Sequence, residues 1–179
     1  MSNRIFQLHP FKSNKSLPHL KITSKITRLK TELKASYKLE GNLDQIILPP
    51  VNKQVKRQDN LWQTTCFELF LAVFNAPEYW EFNLSPTGDW NVYAFSKYRR
   101  GMRTAASFQE LPFQIIHNSN NLYELLITVD LTTIISGNTP LEIAATTVIE
   151  DTNHNLSYWA ITHPGTEADF HRRDSFIAI

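Results

Sequence analysis

Glu68 sits in the middle of the most apolar run of the chain, residues 65–74. Its neighbours two positions away are Cys66 and Phe70, while Phe67, Leu69, Leu71 and Val73 occupy the alternate positions. An unpartnered carboxylate buried there would be costly. Glu68 must therefore pair with a cation such as Arg99 or Arg100, accept hydrogen bonds on a concave binding face, or act as an acid. The last role needs a second carboxylate, and no nearby motif supplies one. Trp62 lies six residues earlier, at the entry to the same run. A Trp there covers a core edge or offers its apolar ring to a ligand. Sugars stack on such rings while carboxylates and amides fix their hydroxyls. Trp159 and Tyr158 are adjacent, so one must face inward and the other outward if the segment is extended. Trp90 is a further candidate ring, opening a run after a turn.

Other groupings carry weaker chemistry. Asp151, Asn153 and Asn155 resemble the first ligands of a calcium loop. That loop then requires Gly and Glu where Leu156 and Thr162 stand, so a hairpin turn is the better reading. His163, Glu167, Asp169 and His171 fall within nine residues and could hold a metal. The flanking Pro164-Gly165 and Arg172-Arg173 point instead to a salt-bridged loop. Cys66 is the single cysteine, which rules out an internal disulfide and a Cys-rich zinc site. Between bulky apolar residues its thiol is expected to be inert. With 5 glycines there is no phosphate-cradling loop, and no Ser-His-Asp order stands out. These residues give no footing for an enzyme.

The elements that must position these residues are short apolar runs separated by turn signals, an all-β pattern. Leu33, Ala35, Tyr37 and Leu39 alternate with polar residues until Gly41-Asn42. Residues 65–74 form the strongest strand, ended by Asn75-Ala76-Pro77. Residues 79–84 and 90–95 make a hairpin around Ser85-Pro86-Thr87-Gly88-Asp89. A second hairpin joins 113–116 to 123–130 through 118–121, and a third joins 141–150 to 156–161. Residues 174–179 read as a closing strand. Residues 51–60 are expected to be a loop, and 96–111 irregular with at most a short helical turn. About eleven strands and no long helix predict a two-sheet antiparallel β-sandwich, with a closed barrel as the alternative.

The 179 residues suit one domain spanning 1–179. Hydrophobic residues make up 42% and charged residues 20%, a globular balance. The net charge of +1 disfavours a general nucleic-acid or membrane-surface role. Basic residues lean toward the N-terminal third, through Lys12, Lys15, Lys21, Lys25, Arg28, Lys30, Lys34 and Lys38. A solvated strand face with edge-guarding lysines accounts for them. No run is long enough for a signal peptide or a spanning helix, so a cytoplasmic location is expected.

The stretch 59–71, with Trp62 and Glu68, resembles the Trp-to-Glu strand of the DOMON-like superfamily, which includes the family 9 carbohydrate-binding modules. Residues 79–90, with an Asn-x-x-Pro-x-Gly turn, resemble the hairpin that follows it. With Tyr98-Arg99-Arg100-Gly101-Met102 and Tyr158-Trp159, the resemblance covers about residues 40–179 and is closest to small stand-alone bacterial DOMON-like proteins. It implies a sandwich of jelly-roll or immunoglobulin-like type. It also implies a non-catalytic domain whose small-molecule ligand is a sugar, held between two Trp rings with Glu and Arg on its hydroxyls. Trp62 and Glu68 match that pattern well; Arg99 or Arg100, Asn155 and Trp159 match it more loosely. Some members bind haem, for which Met102 and either His163 or His171 would be the axial ligands. A protein-interaction domain without a small ligand is the remaining alternative.

Overall fold

The computed structural model describes residues 2–12, 17 and 19–179, without the side chains of Ser2, His117 and Asn118; Lys15 lies outside the described residues. Among the described residues twelve strands form one antiparallel sheet. They are β1 (Ser2–Pro10), β2 (Lys21–Leu29), β3 (Glu32–Glu40), β4 (Cys66–Val73), β5 (Tyr79–Leu84) and β6 (Trp90–Phe95). The rest are β7 (Arg103–Thr104), β8 (Phe113–Ser119), β9 (Leu122–Asp130), β10 (Leu141–Glu150), β11 (Leu156–Ala160) and β12 (Ile177–Ala178). The order is β7-β6-β5-β4-β10-β11-β1-β2-β3-β9-β8, with β12 beside the start of β10.

The expected pair of separate sheets is thus one curled sheet, and β1 is the reason. Its first residues, Ser2 to Leu8, pair with β2, while His9 and Pro10 pair with Ala160 and Trp159 of β11. One strand therefore carries the ladder from one arm into the other. The arms close over a common core. Tyr37 of β3 packs on Phe67 of β4 at 5.4 Å, and Tyr123 of β9 stacks on the same ring at 5.5 Å. The Tyr37 hydroxyl donates to the carbonyl of Glu68 and ties the arms together.

Strict alternation builds the first arm. In β2 and β3 the residues Ile22, Ile26, Leu33, Ala35, Tyr37 and Leu39 are buried, with polar neighbours outside. The outward lysines do not guard an edge, because β2 and β3 are interior strands. They form a solvated face laced by Lys34–Glu32 and Lys38–Glu40 pairs at 3.0 and 2.9 Å. Each such exposed pair is worth little.

The second arm is β4–β5–β6 with β10 and β11, and its strands β4, β5, β6 and β10 are buried on both faces. Its inner face gives Phe67, Leu69, Leu71, Phe82, Leu84 and Ile143 to the main core. Its outer face carries a second apolar cluster around Phe70, Tyr79, Phe95 and Val148, partly covered by Phe170 and Phe176 of the C-terminal segment. Arg173 fastens that segment, donating to the carbonyl of Ala76 at 2.7 Å and pairing with Glu142. The expected closing strand is the two-residue β12, preceded by a 3-10 turn at Arg173–Ser175. The expected 51–60 loop is tied down by Asp89, which accepts from the Asn52 amide and the Lys56 N–H, and by Arg57 stacked 4.2 Å over Trp90.

Candidate functional site

A cavity of about 330 Å³ opens on the outer face of the second arm. Its floor is polar and comes from adjacent strands. Glu68 on β4 pairs across to Asn83 on β5 and to Thr146 on β10, and Phe70 pairs with Glu81. Glu68 and Glu81 are therefore diagonal neighbours pointing the same way, a spacing of roughly 7–8 Å between backbones. Both are buried, at 3% and 5% exposure.

The two carboxyls are poorly satisfied. Glu68 Oε2 accepts from Thr146 Oγ1 at 3.5 Å, a long contact, while Oε1 has no hydrogen-bond partner. Glu81 Oε1 accepts from the Asn83 amide at 2.9 Å. Burial, aided by the charge of Glu81, pushes the Glu68 carboxyl well above its ordinary value. Burial also raises Glu81 to about 7, against the lowering effects of the Asn83 amide and the Arg99 charge. No arginine pairs with Glu68, so the ion pair considered from sequence is not formed.

His171 closes one side. Its Nδ1 lies 2.8 Å from the Tyr79 hydroxyl, which also accepts from the Arg99 backbone N–H at 3.2 Å. Its Nε2 lies 3.9 Å from Glu81 Oε2. Burial, helped by the Arg99 charge, lowers the imidazole to about 4. Between about pH 4 and 7 the ring is neutral and Glu81 protonated, so this contact is not an ion pair there. Arg99 reaches the cavity from a tight turn in which Arg99 and Gly101 both have positive φ, 49° and 64°. A Cβ at Gly101 would meet Ser96 Oγ at 2.4 Å, so the turn requires glycine there. The Arg99 guanidinium pairs with Asp169 at 2.7 Å.

The walls are apolar: Trp62, Phe95, Met102, Val148, Tyr158 and Phe170. Trp62 rides on a 3-10 turn, Leu61–Gln63, entered through Asn60 in the left-handed region at φ 62°. Asn tolerates that conformation better than most residues. Leu61 is buried beneath, and the half-buried Trp62 ring meets Tyr93 edge-on at 5.6 Å.

Of the residues singled out from sequence, Trp62, Glu68 and Arg99 converge on this cavity. The other three lie elsewhere. Trp159 is 3% exposed in the main core, its indole N–H bonded to Ser157 at 3.0 Å. Its neighbour Tyr158, on the opposite face of β11, takes the ring position in the cavity. Asn155 sits in the β10–β11 turn with its amide on the Asp151 carboxylate, which also accepts from the Asn153 and Asn155 backbone N–H groups. Arg100 is exposed outside the cavity, its carbonyl accepting from Ser96. Trp90 is buried in the core beneath Arg57.

The 163–171 cluster is dispersed. His163 bonds the carbonyl of His9 at 2.8 Å, Asp169 pairs with Arg99, and His171 faces the cavity. Among the described residues no three such side chains are arranged to hold a metal. Cys66 is fully buried, and burial raises its thiol well above the ordinary value.

Sequence reasoning did not single out Glu81, named His171 only in the 163–171 cluster and as a haem ligand, and named Tyr158 only beside Trp159. Glu81 was open to the argument used for Glu68, as a lone carboxylate among Trp80, Phe82 and Leu84. No local signal brought His171 to Glu68 and Glu81, because its place depends on how the C-terminal segment crosses the sheet.

No protein-family model matches the sequence, and neither does any curated protein. Solved structures do share the fold. A protein of Bacteroides uniformis ATCC 8492, provisionally described as carbohydrate-binding, superposes with a TM-score of 0.70 at 13% identity, over 98% of this chain and 84% of that one. A family 9 carbohydrate-binding module from Caldicellulosiruptor kristjanssonii, in complex with cellotriose, superposes with a TM-score of 0.53 at 11% identity, over 91% and 74%. At these identities the likeness is one of fold, shared along nearly the whole chain.

Proposed function

We propose that this protein is a non-catalytic domain of the DOMON-like type that binds a sugar in the cavity on its outer face. One observation carries the reading: Glu68, a buried carboxyl whose Oε1 has no hydrogen-bond partner, lines a pocket walled by aromatic rings. A hydroxyl donating to that oxygen would recover a hydrogen bond the protein alone does not make. Rings of Trp62 and Tyr158 would take the apolar face of the same ligand. Glu81, His171 and Arg99 would supply the remaining polar contacts. The volume is near the lower end for small-ligand sites, which suits one or two sugar rings. The fold shared with a carbohydrate-binding module in complex with cellotriose supports the reading.

The placement of the carboxyls favours binding over hydrolysis. Glycosidases set two carboxyls on opposite sides of the scissile bond. Here both rise side by side from one floor and would meet the same side of a ligand. Met102 and His171, the candidate axial ligands, do line one cavity, but they do not fit haem. His171 Nδ1 is engaged by Tyr79, Nε2 faces Glu81, and a pocket of about 330 Å³ floored by carboxyls does not admit the macrocycle.

Tryptophan fluorescence during titration with mono- and disaccharides tests the reading. A saturable shift that is lost in Trp62→Ala, in a protein that stays folded, is the expected result. No shift with any sugar would overturn it.

A further inference from the structure

Resting on the sugar-binding reading for its ligand class, the geometry points to one step more: we propose that the pocket selects ligands bearing a protonated amine, an amino sugar over its neutral counterpart, through Glu68 and Glu81. The floor offers two carboxyls on adjacent strands, and among the described residues two side chains donate to them, Thr146 Oγ1 at 3.5 Å and the Asn83 amide at 2.9 Å. Glu68 Oε1 is left over and buried, on a side chain that lines the cavity.

The cations nearby do not meet this need. Arg99 is the one Lys or Arg side chain lining the cavity among the described residues, and Asp169 holds its guanidinium at 2.7 Å. His171 is neutral near pH 7, since burial lowers it to about 4. A neutral sugar hydroxyl would satisfy the orphan oxygen but leave two carboxyls that resist ionisation together. An ammonium supplies three donors and a full charge, so it can bridge both groups and favour their ionised forms. The walls act in the same direction. Trp62, Phe95, Tyr158 and Phe170 line the same cavity, and aromatic faces attract cations. A ring of aromatics over an acidic floor is the chemistry of ammonium recognition rather than of anion or metal capture.

Fluorescence titrations at pH 6.5 and low salt compare glucosamine with glucose, and cyclohexylamine with cyclohexanol, on wild type, Glu81→Gln and Glu68→Gln. In each pair the amine is expected to bind at least about tenfold tighter, equivalent to about 1.4 kcal/mol. Glu81→Gln should bring that ratio to within about threefold of one. Glu68→Gln serves the same purpose should Glu81→Gln fail to fold, as read by circular dichroism. Equal affinities for amine and neutral partner overturn the proposal, as does a ratio unchanged in both folded variants. Glucose binding without an amine preference sinks this inference and leaves the sugar reading standing. Cyclohexylamine binding with no sugar response sinks the sugar reading and leaves amine selection standing. No response to any of the four ligands sinks both.

Discussion

The two faces of β4 differ by a single residue step and carry opposite chemistry. Phe67, Leu69 and Leu71 point into the main core, fully buried among aliphatic and aromatic partners. Cys66, Glu68 and Phe70 point out of the opposite face, also buried: Cys66 and Phe70 join the second apolar cluster, and Glu68 lines the cavity. The first face stabilises the fold by removing apolar area from water. The second holds carboxyls where their charged forms are disfavoured, so it costs stability in exchange for unsatisfied hydrogen-bonding capacity. A strand buried on both faces can thus keep core and site one residue apart, provided the covering layer differs. Inside, the cover is the other arm of the sheet; outside, it is a short C-terminal segment that leaves an opening.

Cutting the inner face should have the largest effect. Phe67→Ala removes the ring on which Tyr37 and Tyr123 pack, and should destabilise by about 3–5 kcal/mol in chemical denaturation. Trp159→Ala, also in that core, should cost a similar amount, whereas a role at the ligand would show as lost binding at unchanged stability.

A change on the outer face should run the other way. Glu68→Gln removes a buried group that resists ionisation, and should raise stability at pH 8 by about 1–3 kcal/mol while weakening ligand binding. A fall in stability at pH 8 would show that the carboxylate is better satisfied than its neighbours indicate.

The pH profile sharpens the contrast. Glu68 and Glu81 have folded values raised above 4.5, so between pH 4.5 and about 7 the folded protein holds protons that the unfolded chain has released. Stability should therefore decline as pH rises through that window. His171 has a folded value lowered to about 4 from 6.5, so its contribution is lost as pH falls from 6.5 to 4 and partly offsets the decline. A Glu68→Gln, Glu81→Gln double variant should lose the decline and show the opposite slope below pH 6.5. A double variant that still loses stability from pH 4.5 to 7 would place the effect elsewhere.

Trp62→Ala should have the smallest effect on stability, within about 1 kcal/mol, because the ring is half-buried at a rim. A loss as large as that of Trp159→Ala would make Trp62 a core residue and remove it from the site.

The strands and most hairpins were legible in the sequence because alternation and turn residues act locally. The run 33–39 declares a period of two, the runs 65–74 and 79–95 are apolar stretches bounded by turn residues, and each ends in a break. The same local logic marked Glu68 and would have marked Glu81, since a charge inside an apolar strand is anomalous wherever the strand lies. It also required Tyr158 and Trp159 to part company, without saying which would face the core. That choice rested on β1, whose last residues pair with β11 and set which side of it meets the other arm. The joining of two expected sheets into one depended on the same strand, and no pattern within β1 announces a change of partner. His171 and Phe170 reached the cavity, and Asp169 reached Arg99, only because Arg173 and β12 hold the C-terminal segment across the sheet. By itself, then, the sequence determined which residues alternate and which charges are out of place. The tertiary structure alone decided which of them meet, because strand pairing and the path of a covering segment depend on contacts between residues far apart in the chain.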